Sequence, residues 1–71
     1  MVSVFKTNIE LPNDVLYVLS DLNKRLEISA VSIDYQDVDH VLRIEHYRLL
    51  SMNEVIKCVK NLGFYCAELT D

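Results

Sequence analysis

Ile28-Ser29-Ala30-Val31-Ser32-Ile33-Asp34-Tyr35 and, after a short polar interval, Val41-Leu42-Arg43-Ile44-Glu45 are the stretches that decide the fold. The first sets Val31, Ile33 and Tyr35 against Ala30, Ser32 and Asp34, and the second sets Leu42 and Ile44 against Arg43. Successive strand side chains point to opposite faces, so both read as half-buried strands. Gln36-Asp37-Val38-Asp39-His40 between them is polar enough for a turn, without an Asn-Gly pair to pin its type, and joins them as a hairpin.

Working outward toward the N-terminus, Val15, Val18, Leu19, Leu22 and Leu26 recur at helical spacing. Pro12 suits the first turn of that helix, and Asp14 puts negative charge near the positive end of its dipole. Leu11, four residues before Val15, extends the stripe and is expected to be buried with it. Val2 to Ile9 is rich in β-branched residues and reads as a strand. Pointing Phe5, Thr7 and Ile9 inward keeps the Lys6 ammonium in water and leaves Val2 and Val4 on the other face.

Toward the C-terminus, Ser51-Met52-Asn53-Glu54 is a capping box that starts a second helix. Met52, Val55, Ile56, Val59 and Leu62 form its apolar face. Gly63 ends it in a left-handed conformation, and Phe64 to Leu69 reads as a last strand. The order is βαββαβ. Right-handed crossovers then favour an α+β ferredoxin-like sandwich, a four-stranded antiparallel sheet with two helices on one face, over residues 1–71 as a single domain.

Composition narrows the function. With 71 residues, one glycine and one proline there is little room for linkers or a deep substrate pocket, so an enzyme is not expected. Seven Lys plus Arg against eleven Asp plus Glu, a net charge of -4, give no field to hold a nucleic acid. Tyr17 and Tyr47 read as surface residues, because the aromatic and basic motifs of an RNA-binding sheet are missing. The longest apolar run, Val15 to Leu19, is too short for a membrane span, and the residues after Met1 lack a signal peptide's pattern, so a cytoplasmic chain is expected. Acylphosphatase chemistry on this topology would want glycine and arginine in the first loop, and Thr7 to Asn13 supplies neither.

Ile28-Ser-Ala-Val31-Ser-Ile33-Asp34 resembles the Val-x-x-Val-x-Val-Asp second strand of the heavy-metal-associated (HMA) domains of copper chaperones and metal-transporting ATPases. Ser51-x-x-Glu54-Val55-Ile56 with Leu62-Gly63-Phe64 is similar to the same family's Ser-x-x-Glu-Ile and Gly-Tyr motifs. The resemblance spans almost the whole chain. Registered on Val18 and Leu22, it puts Asn8-Ile9 where the family has Gly-Met and Leu11-Pro12-Asn13-Asp14 where it has its metal-binding Cys-x-x-Cys. Leu11 and Asp14 thus stand at the family's two thiolate positions. Cu(I) wants soft thiolates, whereas Leu11 has no donor and Asp14 offers a hard oxygen. Phe64 also lacks the phenol of the family's tyrosine beside the metal loop. The resemblance therefore implies an HMA-like scaffold without its usual site, and no cofactor held by the family's cysteines.

Other donors could still carry a metal. His40 and His46, six residues apart on one strand, are separated by roughly 20 Å at about 3.3 Å per residue and cannot share an ion; each reads as a solvated histidine near a strand end. Cys58 and Cys66 read as reduced, packed thiols, Cys66 facing the helices and Cys58 at the margin of the core. The βαββαβ order collects Glu10, Asp14, Asp34, Asp37 and Asp39 with His40 at one end of the sheet, and Lys24, Arg25, Arg48 and His46 toward the other. That acidic end is either solvated turn, a weak hard-cation site or a docking surface for a basic partner.

The open face of the sheet is expected to present Val2, Val4, Val41, Arg43, Tyr65 and Ala67, which suggests a homodimer through that face or through a sheet edge. The functional expectation is a small binding or protein-interaction module. The alternative is a metal carrier using Asp14, Asp37, Asp39 and His40 for a hard or borderline ion, or Cys58 and Cys66 for a soft one.

Overall fold

A computed structural model describes residues 1–26, 28–46 and 51–69; Tyr47 and Arg48 lie outside the described residues. The elements are β1 (Val2–Thr7), α1 (Pro12–Arg25), β2 (Ala30–Asp34), β3 (Val41–Glu45), α2 (Met52–Asn61) and β4 (Cys66–Glu68). The four strands form one antiparallel sheet in the order β2-β3-β1-β4. Phe5, Ile33, Leu42, Ile44 and Cys66 from one face of that sheet share a core with Val15, Val18 and Leu22 of α1 and Val55 and Val59 of α2. Both helices therefore cover the same face, which is the ferredoxin-like sandwich.

The period-2 pattern sets each register. Phe5 pairs with Leu42, and Ile33 pairs with Leu42 from the other side, so three inward side chains meet in one row. Phe5, Thr7 and Ile9 are buried and Lys6 is exposed, as expected from the cost of desolvating an ammonium. β1 nevertheless ends at Thr7, two residues earlier than its β-branched composition suggests. The Thr7 hydroxyl accepts from the Ile9 amide at 3.2 Å and turns the chain out of the sheet while Ile9 stays in the core.

α1 starts at Pro12 with Leu11 as its N-cap residue, in an extended conformation (φ -92°, ψ 137°). Asp21 and Arg25 lie one turn apart, 2.9 Å between carboxylate and guanidinium. The Arg25 pKa is pushed up chiefly by its hydrogen bond and charge contact with Asp21, and its guanidinium also feels Cys58 of α2. α1 packs over β2, and α2 over β4.

α2 is capped at both ends as the sequence suggests. Ser51 Oγ accepts from the Glu54 amide at 3.4 Å. At the other end the Gly63 amide donates to the Lys60 carbonyl (2.9 Å) and the Phe64 amide to the Val59 carbonyl (3.3 Å), the two bonds of a Schellman motif, with Gly63 at φ +98°. The same bonds shorten β4. The Phe64 amide is spent on the helix end and the Tyr65 amide donates to Asn8 Oδ1 at 2.8 Å, so strand pairing begins only with Cys66 opposite Thr7. The expected strand from Phe64 to Leu69 is thus three residues long, although the Leu69 amide still reaches the Val4 carbonyl at 3.0 Å.

His46 departs from its reading as a solvated residue. It continues the inward series Leu42, Ile44 and is 4% exposed, with Nε2 3.0 Å from Ser3 Oγ and its amide donating to the Met1 carbonyl at 2.9 Å.

A Cβ at Gly63 would meet nothing within 4 Å, so only its backbone angle demands glycine. Gly63→Ala is expected to destabilise the fold by about 1 to 2 kcal/mol, against about 2 to 5 kcal/mol for Leu42→Ala in the core. Chemical denaturation of both variants checks this, and an unchanged midpoint for Gly63→Ala would contradict the left-handed cap.

Candidate functional site

The β1–α1 loop, the β2–β3 turn and the start of β4 meet at one end of the sheet because strand order places β1 between β3 and β4. Thr7 holds them together. Its amide donates to the Asp39 carbonyl at 3.1 Å and its hydroxyl donates to the His40 carbonyl at 2.6 Å. Asn8, through its bond from the Tyr65 amide, ties the same loop to β4. Neither residue stood out in the sequence, since a buried threonine that bridges two loops looks like any strand threonine until the loops are placed.

Most of the acidic side chains at this end are engaged locally. Asp34 Oδ1 accepts from the Gln36 amide at 3.2 Å and Asp37 Oδ1 from the Asp39 amide at 2.8 Å, both tightening the turn. Asp39 lies 3.5 Å from Lys6 Nζ. His40 has φ +45°, and its Nδ1, 2.9 Å from the Tyr35 carbonyl, must carry the proton because that oxygen can only accept. Its Nε2 then faces Glu10 Oε1 at 3.5 Å, an ion pair whenever the imidazole is protonated. His40 is thus a turn-locking residue rather than a freely solvated one. Asp14 sits half-buried in the first turn of α1. Among the described residues, no three His, Cys, Asp or Glu side chains converge to hold a metal ion.

Leu11 corrects the sequence reading. It is 62% exposed rather than packed, because the residue before Pro12 is an extended cap and its side chain leaves the helical stripe. Val38, at the tip of the facing turn, is 88% exposed. The end of the domain that carries the family's metal loop by resemblance therefore displays two aliphatic side chains among carboxylates.

The cysteines are both free. Cys66 faces the helices and is 2% exposed; burial pushes its thiol from the ordinary 9.0 up to about 11, against a smaller opposing pull from Lys60. Cys58 is half-buried on α2. A buried thiol with a raised pKa is a poor source of the thiolate that soft metals bind.

The open face carries Val2, Val4 and Lys6 of β1, Val41, Arg43 and Glu45 of β3, and Ala67 of β4. Arg43 stands opposite Val4, and Lys6 opposite Ala67, so charged side chains separate Val2 and Val4 from Val41. Tyr65 is half exposed and precedes β4 rather than lying on it.

No protein-family model matches the chain, and no curated protein matches it in sequence. Solved structures do match in fold. One, described as bearing on crosstalk between Cu(I) and Zn(II) homeostasis, superposes with a TM-score of 0.82 over 97% of this chain and 99% of that chain at 6% identity. Another, the yeast copper transporter domain CCC2A in its apo and Cu(I)-loaded states, gives a TM-score of 0.83 over 99% of this chain and 96% of that chain at 11% identity. At those identities the likeness establishes the ferredoxin-like architecture. No helix among the described residues is long and apolar enough to cross a membrane.

The raised Cys66 pKa has a measurable sign. Between pH 9 and about 11 the unfolded chain releases this proton while the native chain keeps it, so stability falls as pH rises through that window. Relative to a Cys66→Ala variant, the wild type is expected to lose about 2 kcal/mol more there. Denaturation at both ends of the window reads the difference, and parallel curves for the two proteins would contradict a buried, neutral thiol.

Proposed function

We propose that this chain is a small interaction module on an HMA-like scaffold, recognising a protein through the end where the β1–α1 loop meets the β2–β3 turn. The observation that carries this reading is the exposure of Leu11 at the first of the family's two thiolate positions. An aliphatic side chain held in water by a pinned loop gives up free energy that a protein partner could recover by covering it. Val38 is exposed on the β2–β3 turn at the same end of the sheet, where Glu10, Asp14 and Asp37 add negative charge. A complementary partner presents an apolar pocket rimmed by lysine or arginine. No catalytic role accompanies the proposal: His40 is engaged by a backbone carbonyl and Glu10, and Cys66 is buried.

The competing reading is a metal carrier, favoured by the two copper-related structural neighbours and by the adjacency of His40 and Glu10. The two readings separate in a titration of the reduced protein with Cu(I), Zn(II), Ni(II) and Mn(II). The interaction module leaves all four without binding tighter than micromolar, and tight binding of any one reverses the assignment. A Leu11→Cys/Asp14→Cys double variant is expected to acquire Cu(I) binding, because the two positions carry the family's spacing on a backbone of the same fold. A folded double variant that stays silent toward Cu(I) would show that the loop itself has diverged.

A further inference from the structure

Among the described residues, β2 is an edge strand without the usual defences. Its five residues, Ala30-Val31-Ser32-Ile33-Asp34, contain no lysine, no proline and no glycine, and on the exposed face its side chains Ala30 and Ser32 are small. Natural edges are normally blunted by a bulge, an inward charge or a covering loop, because an open row of backbone donors and acceptors recruits another strand. The other edge needs less protection. β4 has three residues, and the Tyr65 amide just before it is occupied by Asn8.

The helix above this edge adds a second, independent feature. Asp21, with its side chain only 18% exposed, and Arg25 lie on one flank of α1, and at 100° per residue Leu16, Leu19 and Asn23 fall on the opposite flank. α1 packs over β2, the strand at that open edge. Leu16 is 67% exposed, Leu19 is only partly buried, and Val31 is half-buried on the helix side of β2. On the opposite side of the strand a shallow groove runs along Ala30 and Ser32, walled by Arg43 and Glu45.

We propose that a second copy of this chain docks on this edge, β2 against β2, about a twofold axis through Ser32. The strand is self-complementary in that register. Val31 meets Ile33 of the second copy on the helix side, Ala30 meets Asp34 on the open side, and the two Ser32 side chains face one another without charge or bulk. The two α1 helices then run antiparallel, and Leu16 and Leu19 of each copy close over the joined strands. A five-residue strand pair alone is a small contact beside the roughly 1,000 Å² of a stable interface, and the leucine flank is the apolar surface that enlarges it. An eight-stranded sheet results, with all four helices on one side. This assembly leaves the Leu11 and Val38 end free, so it stands or falls independently of the function proposed above. It also differs from a dimer through the open face, where Lys6 and Arg43 interrupt the valines.

Sedimentation between 1 and 200 μM tests it. The wild type is expected to dimerise within that range, and Ser32→Lys, which sets two ammonium groups face to face, is expected to weaken the dimer at least tenfold. Leu16→Lys is expected to do the same. Both positions are exposed in the single chain, so circular dichroism should show both variants folded. In a Cys58→Ser background, Ser32→Cys should form an intermolecular disulfide under mild oxidation, because residues opposite one another in an antiparallel pair lie about 4.5 to 5.5 Å apart, within disulfide reach. Arg43→Cys, one strand further in, should not. A monomer at 200 μM, a dimer indifferent to both lysine variants, or one dissociated instead by Val4→Lys with Val41→Lys would overturn the proposal.

Discussion

The cost of burying the Lys6 ammonium governs more of this structure than any other local term. β1 lies between β3 and β4, so the face on which Lys6 sits decides the face of every strand paired to it. With Lys6 outward, Phe5 and Thr7 point to the helices. Phe5 then meets Leu42 and becomes the floor of the core, while Thr7 is placed where its hydroxyl and amide can reach the β2–β3 turn. A one-residue slip would exchange all of these roles at once. The position of the β1–α1 loop, and with it the exposure of Leu11, follows from the same choice.

The loop end of the domain is rigidified by polar contacts and left apolar at its tips. Thr7, Asn8 and His40 use backbone carbonyls and amides as partners, which holds the loop and turn without consuming Leu11 or Val38. The carboxylates of Asp34 and Asp37 cap turn amides, so the acidity of this end is largely a consequence of turn chemistry. That distinction matters for function. Carboxylates already accepting backbone hydrogen bonds are costly to reorient around a cation, whereas their field still acts on any charged surface that approaches.

The opposite flank shows a different economy of residues. α1 buries Val15, Val18 and Leu22 and pairs Asp21 with Arg25, yet keeps Leu16 in water on a helix that packs over the edge strand β2. In a domain this small the core contributes little surplus stability, so an apolar flank left in water forgoes stabilisation that covering it would add.

The pattern of the sequence alone specified the elements, their order and the inward faces, because periods of two and 3.6 residues report directly which side of a strand or helix must leave water. It also encodes the burial of His46, which continues the Leu42 and Ile44 alternation. Leu11 shows where periodicity misleads, since extending a helical stripe past Pro12 assumes a helix that the cap residue does not join. The functional end was only partly legible. Leu11 and Asp14 are read directly from the residue types, but the bonding of Thr7 to the Asp39 and His40 carbonyls links residues more than thirty apart, and nothing local encodes it. Which strand lies at the edge, and which helix packs over it, are properties of strand order and helix docking, and only the tertiary structure decides them.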